Sequence, residues 1–248
     1  MVSIKWFFSV STIILFGSFS GCGGDPVTPP IPKEPISIVF NNQYNGSDLV
    51  YNTIYKSHQL NDIWFTKKMY YLSNVIAVNS EGVKELVADI ALIDQSKGLD
   101  GITVKGNIPA GNYVGIEFSL GVREDLNKQD PATFEASHPL SITNNMYWGW
   151  STQYVFSKLE GFEVYGTDTT SFVIHTGTQD LFRPEISIKN TFTLPTGGTS
   201  VSINMDVYDI LNQSEYTFNL IKDGQSHTVD NLPLATQYMD NFTKAFNK

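Results

Sequence analysis

The sequence predicts an all-β protein, an antiparallel β-sandwich closed by one C-terminal amphipathic helix. Three observations carry this reading. Of 248 residues 41% are hydrophobic and 13% aromatic while only 17% are charged, a balance that suits half-buried strands better than long solvated helices. Short apolar runs, alternating or β-branched, are separated by Gly, Asn, Asp and Pro. Steps of three and four residues appear strongly only at the end of the chain.

Taken in order, strands are expected over Ile36 to Phe40, Met69 to Val78, Leu86 to Ile93, Tyr113 to Val122, Tyr147 to Leu159, Ser171 to His175, Glu185 to Leu194 and Ser200 to Tyr208. Asn45-Gly46, Glu81-Gly82, Pro109-Ala110-Gly111-Asn112 and Gly197-Gly198 supply turn chemistry between them. Leu232, Leu234, Ala235, Tyr238, Met239, Phe242, Ala245 and Phe246 then share one helical face after Asp230, Asn231 and Pro233. No repeat or linker divides the body, so residues 36–248 are expected to form one domain.

Residues 1–21 carry one charge, Lys5, ahead of the apolar stretch Trp6 to Phe19, and read as a signal peptide. The stretch runs into Phe19-Ser20-Gly21-Cys22, which resembles a bacterial lipobox. Cys22, the one cysteine, is therefore expected to carry a diacylglycerol. Residues 22–35, with Pro26, Pro29, Pro30, Pro32 and Pro35, then form an extended tether. The expectation is a protein of the bacterial cell envelope, periplasmic or on the outer-membrane surface, held to a membrane through its lipid anchor only.

A formal net charge of −9 repels phosphate backbones, so nucleic acid is not an expected partner. A single cysteine makes no internal disulfide, cysteine-rich zinc site or iron–sulfur cluster. The nucleophile elbow, the His-Glu-x-x-His helix, the phosphate-binding loops and the EF-hand loop are all missing, and no enzyme activity is expected.

The residues left to carry chemistry are His58, His138, His175 and His227 and a tryptophan pair. His138 precedes Pro139-Leu140, and His175 ends the run Phe172-Val173-Ile174, where a strand end presents a ligand at a rim. Trp148 and Trp150, two apart, would share one face of a continuous strand. Spacing alone leaves solvated histidines and core-packed tryptophans as the ordinary alternative.

Leu140 to Gly161, with Met146-Tyr147-Trp148-Gly149-Trp150 followed by Tyr154, Phe156 and Leu159-Glu160-Gly161, resembles the signature of the MbnP-like copper-binding family. Lys68 to Val75 is similar to its tyrosine-rich strand, Gly111-Asn112-Tyr113 through Val122 to its Gly-x-Tyr strand, and His175-Thr176-Gly177 to its His-x-Gly segment. The resemblance runs from about Ile36 to the C-terminus. It implies an all-β envelope protein that binds one copper ion, with Trp148 or Trp150 converted to kynurenine by a diheme MauG-like peroxidase partner. His175 and His138 match the family's histidines, and His227 stands as a reserve ligand. The low methionine count and lack of further cysteine favour a nitrogen site for Cu(II) over a thioether site for Cu(I).

The expected role is copper acquisition, storage or homeostasis without catalytic turnover. The alternative is a surface adhesion or carbohydrate-binding sandwich that uses exposed aromatics and no metal.

Overall fold

In the computed structural model, residues 32–149 and 151–246 are described. The signal peptide, Cys22, most of the tether and Trp150 lie outside them. The strands are β1 Lys33–Tyr44, β2 Ser47–Asp48, β3 Tyr55–Lys56, β4 Asp62–Asn79, β5 Lys84–Asp94, β6 Thr103–Pro109, β7 Gly111–Leu120, β8 Tyr147–Trp148, β9 Gln153–Tyr165, β10 Asp168–Gly177, β11 Arg183–Leu194, β12 Thr199–Asp206 and β13 Gln225–His227. Each expected strand has its counterpart, four of the eight longer at both ends. β6 and β13 were not legible, because Gly106 and Asn107 interrupt the first and the second is only three polar residues. β1 begins at Lys33, inside the stretch read as tether.

Two sheets face one another. In one, β12 and β2 flank β1, with β6 also on β1; in the other the order is β11-β7-β4-β9-β10-β13, with β3 and β5 on β4 and β8 on β9. Most ladders are antiparallel, but β1 pairs with β12 and β10 with β13 in parallel. A parallel pair needs a long crossover, and alternation within each strand carries no record of it. The predicted all-β sandwich with a terminal helix therefore holds, with mixed rather than purely antiparallel sheets.

The helix spans Leu232–Lys244, where the side chain of Asn231 accepts from Leu234 N–H and Pro233 occupies the first turn, which lacks intrahelical acceptors for its N–H groups. Leu234, Ala235, Tyr238, Met239 and Phe242 form its buried face. Phe242 meets Tyr70 of β4 edge-on at 5.1 Å, and Phe246 meets Phe118 of β7 at 4.8 Å. Phe118 also meets Phe40 of β1, so this aromatic stack joins the two sheets to the end of the chain.

Two local departures position the site. The strand expected over Tyr147 to Leu159 is broken into a hairpin: Tyr147 pairs with Tyr154 and Trp148 with Gln153, while Ser151 N–H closes the turn onto Trp148 C=O. The positive φ of Gln153 (64°) contributes to that reversal, so Trp148 sits at a turn and not in mid-strand. In β4 the register with β9 slips between Phe65 and Lys67. The extra residue resets the alternation, which turns Lys67 outward opposite Glu160 and Lys68 inward opposite Leu159.

Candidate metal centre

His175 and His227 are register partners in the parallel ladder of β10 and β13. Side chains of parallel register partners point to the same side of a sheet, so the two imidazoles stand side by side, 5.6 Å between ring centres. The β8–β9 hairpin sets Trp148 against both, at 5.3 Å from His175 and 5.8 Å from His227. The three rings thus form a nearly equilateral triangle.

Each imidazole is tied by a carboxylate. His175 Nε2 lies 2.8 Å from Glu160 Oε1, and Glu160 also meets Lys67 Nζ at 3.2 Å. His227 Nδ1 lies 3.2 Å from Asp230 Oδ2, and its backbone N–H donates to Asp230 Oδ1 at 2.7 Å. His175 is only 7% exposed, and its Nδ1 is buried with no hydrogen-bond partner. Leaving such a nitrogen unpaired is costly unless something else uses its lone pair.

Lys158, opposite His175 in the β9–β10 ladder, places its ammonium 5.9 Å from the Trp148 ring and donates to Asn145 C=O at 2.6 Å. Burial, with the nearby Lys67, lowers its pKa. The hydrogen bond from His175, helped by Lys67, holds the Glu160 carboxyl at about 2. His175 itself is pushed down, because burial outweighs the stabilising carboxylate. The pair is thus a neutral imidazole donating to an ionised carboxylate, and a neutral imidazole is the form that ligates metal.

The sequence-predicted residues separate here. His175 and Trp148 come together, and the reserve residue His227 takes the position expected for His138. His138 stacks on Phe134 at 4.2 Å, and its Nδ1 accepts from Leu140 N–H at 3.1 Å. Its lone pair is spent on the turn that carries Pro139, and among the described residues its ring touches none of the three rings. Glu160, Lys67, Lys158 and Asp230 were given no role from the sequence. Asp230 follows His227 by three residues and Glu160 stands two after Lys158 on a strand, yet neither spacing is informative until the strand pairing is known.

Among the described residues no group of three or more His, Cys, Asp and Glu is placed to hold a metal ion. Two imidazoles alone are an incomplete set, and an indole offers only an N–H donor. Beside the Trp148 turn lies a cavity of about 370 Å³ lined by Glu124, Asn127, Lys128, Gly149, Thr152 and Thr178, among others. Thr152 Oγ1 and Thr178 Oγ1 are buried there without partners.

The fold and this cluster define an all-β sandwich with a two-imidazole, one-tryptophan centre at a sheet rim. Residues 33–228 match the sequence pattern of the MbnP family, and the chain belongs to that family. MbnP from Methylosinus trichosporium shares the fold at a TM-score of 0.50 with 17% identity, over 73% of this chain and 78% of that one. No curated protein matches the chain.

Proposed function

We propose that this MbnP-family chain is a copper-binding protein of the bacterial cell envelope, serving copper acquisition, storage or homeostasis without turnover of its own. The observation that carries the reading is the buried, unpaired Nδ1 of His175, on a ring packed beside a second imidazole and Trp148. Imidazole nitrogen suits Cu(II), and the chain's one cysteine, Cys22, is assigned to the lipid. The missing donor is assigned to Trp148: two equivalents of hydrogen peroxide, used by a diheme peroxidase partner, cleave its C2–C3 bond to N-formylkynurenine with release of two waters, and one water then removes C2 as formate, leaving an aryl amine and a ketone with lone pairs the indole lacks. The neighbouring cavity gives the turn room to repack around the altered ring. Trp150 lies outside the described residues and stays an alternative target. Cys22 is proposed as the lipid attachment, with the Pro-rich segment as tether.

The test is intact mass and copper titration of protein purified from its own host. Kynurenine at Trp148 and one copper per chain are expected, both lost in Trp148→Phe, which keeps aromatic volume and fold. A host-purified chain that binds no copper overturns the reading, and glycan binding by that chain would favour the adhesion alternative.

A further inference from the structure

We infer that Glu160 and Asp230 are positioning residues that hold the two imidazoles in opposite tautomers, so that His175 presents Nδ1 and His227 presents Nε2 to whatever occupies the space between them. The geometry is asymmetric. Glu160 grips the far nitrogen of one ring and Asp230 the near nitrogen of the other. An ionised carboxylate only accepts, so the nitrogen facing it must carry the proton and the opposite nitrogen must keep its lone pair. At His175 that remaining nitrogen is the one buried without a partner.

Both carboxylates are themselves anchored. Glu160 accepts from Lys67 through both oxygens, at 3.3 and 3.2 Å, which fixes its plane against β4. Asp230 spends its second oxygen on the backbone N–H of His227, so ring and main chain are clamped together. Thr228 Oγ1 donates to His175 C=O at 3.1 Å and ties the loop carrying Asp230 to β10. The rings stand at 86° to one another, an arrangement two freely rotating imidazoles would not hold.

His227 is the more telling case, since the Nδ1-protonated form is ordinarily the minor tautomer of a free imidazole. The inference deepens the copper reading by naming the donor atoms, and it rests on that reading only for the identity of the occupant.

The experiment is long-range proton–nitrogen correlation NMR on ¹⁵N-histidine-labelled, metal-free protein at pH 8, followed by copper titration of host-modified protein. His175 is expected protonated at Nε2 and His227 at Nδ1. Glu160→Gln is expected to mix the His175 tautomers and Asp230→Ala to return His227 to the Nε2-protonated form, while the circular dichroism stays that of the parent. Copper affinity of host-modified Glu160→Gln is expected to fall by about 10- to 100-fold. Parent rings that show the reverse or mixed tautomers, or variants that leave both tautomers unchanged, overturn the assignment whether or not copper binds. The stated tautomers in a host-modified chain that takes up no copper support the assignment and overturn the copper reading alone.

Discussion

Lys67 and Lys68 are consecutive on β4, yet they live in opposite worlds. Lys67 faces outward, half in water, and pairs with the carboxylate that orients His175. Lys68 is fully buried under the terminal helix, with its ammonium 2.9 Å from Tyr238 OH, 3.4 Å from Ser157 Oγ and 3.7 Å from the Phe242 ring centre. Among the described residues no acid pairs with this ammonium, and burial holds its pKa well below the ordinary lysine value. The difference teaches that one register slip in β4 sends one amine to the site and the other into the core. It also separates the two faces of the same sheet: the outer one carries the candidate site with its unpaired nitrogen, the inner one the buried face of the terminal helix.

The comparison breaks most completely if the helix is removed. Truncation after Asn231 uncovers the inner face and strips away Leu234, Tyr238, Met239, Phe242 and Phe246, each worth roughly 1.5–3 kcal/mol when buried. Their sum rivals the ordinary stability of a domain, about 5–15 kcal/mol. The truncated chain is expected to lose its cooperative unfolding transition, read by circular dichroism in a urea series.

On the outer face, the expected loss is of function and not of fold. His175→Ala removes the buried nitrogen proposed as a ligand and should weaken copper binding by more than roughly 100-fold, beyond the usual effect of losing an orienting partner. The urea midpoint should move much less than in the truncation. A competition titration against a copper chelator measures the first quantity.

Lys68→Met sharpens the contrast in the opposite direction. The substitution replaces a desolvated amine by an apolar chain of similar length, and Tyr238 OH and Ser157 Oγ, 3.2 Å apart, still satisfy one another. A gain of about 1–3 kcal/mol is expected at neutral pH. The sign of the pH dependence follows from the depressed folded-state pKa: between that value and about 10.4 the unfolded chain binds more protons, so parental stability rises with pH through this window. The Met variant should lack that rise, and urea melts at pH 7 and 9 compare the two slopes.

Lys67→Met is the smallest effect. Its ion pair is partly exposed, and a change within about 1 kcal/mol is expected in the same melts. A loss as large as the gain at Lys68 would mean that the outer face also carries the fold.

How far the site was legible follows from particular residues. Trp148 and His175 stood out because their types are rare and their flanking residues matched a family pattern. The place of His227 beside His175 depends on a parallel ladder between segments some fifty residues apart, and the exclusion of His138 depends on a turn that spends its Nδ1 on Leu140 N–H. Neither fact has a local signature, since pairing and side-chain competition are decided by which strands meet.

By itself the sequence determined the all-β class, the positions of most long strands, the terminal helix and its buried face, because alternation, turn residues and three-to-four periodicity are local consequences of burying one face of each element. Only the tertiary structure decided the mixed sheets, the slip that sets which of Lys67 and Lys68 faces inward, the hairpin that lays Trp148 on two imidazoles and the carboxylate assigned to each ring. These are long-range matters: a register or a hydrogen bond between distant strands is chosen by the joint free energy of both partners, and no stretch of either strand records it alone.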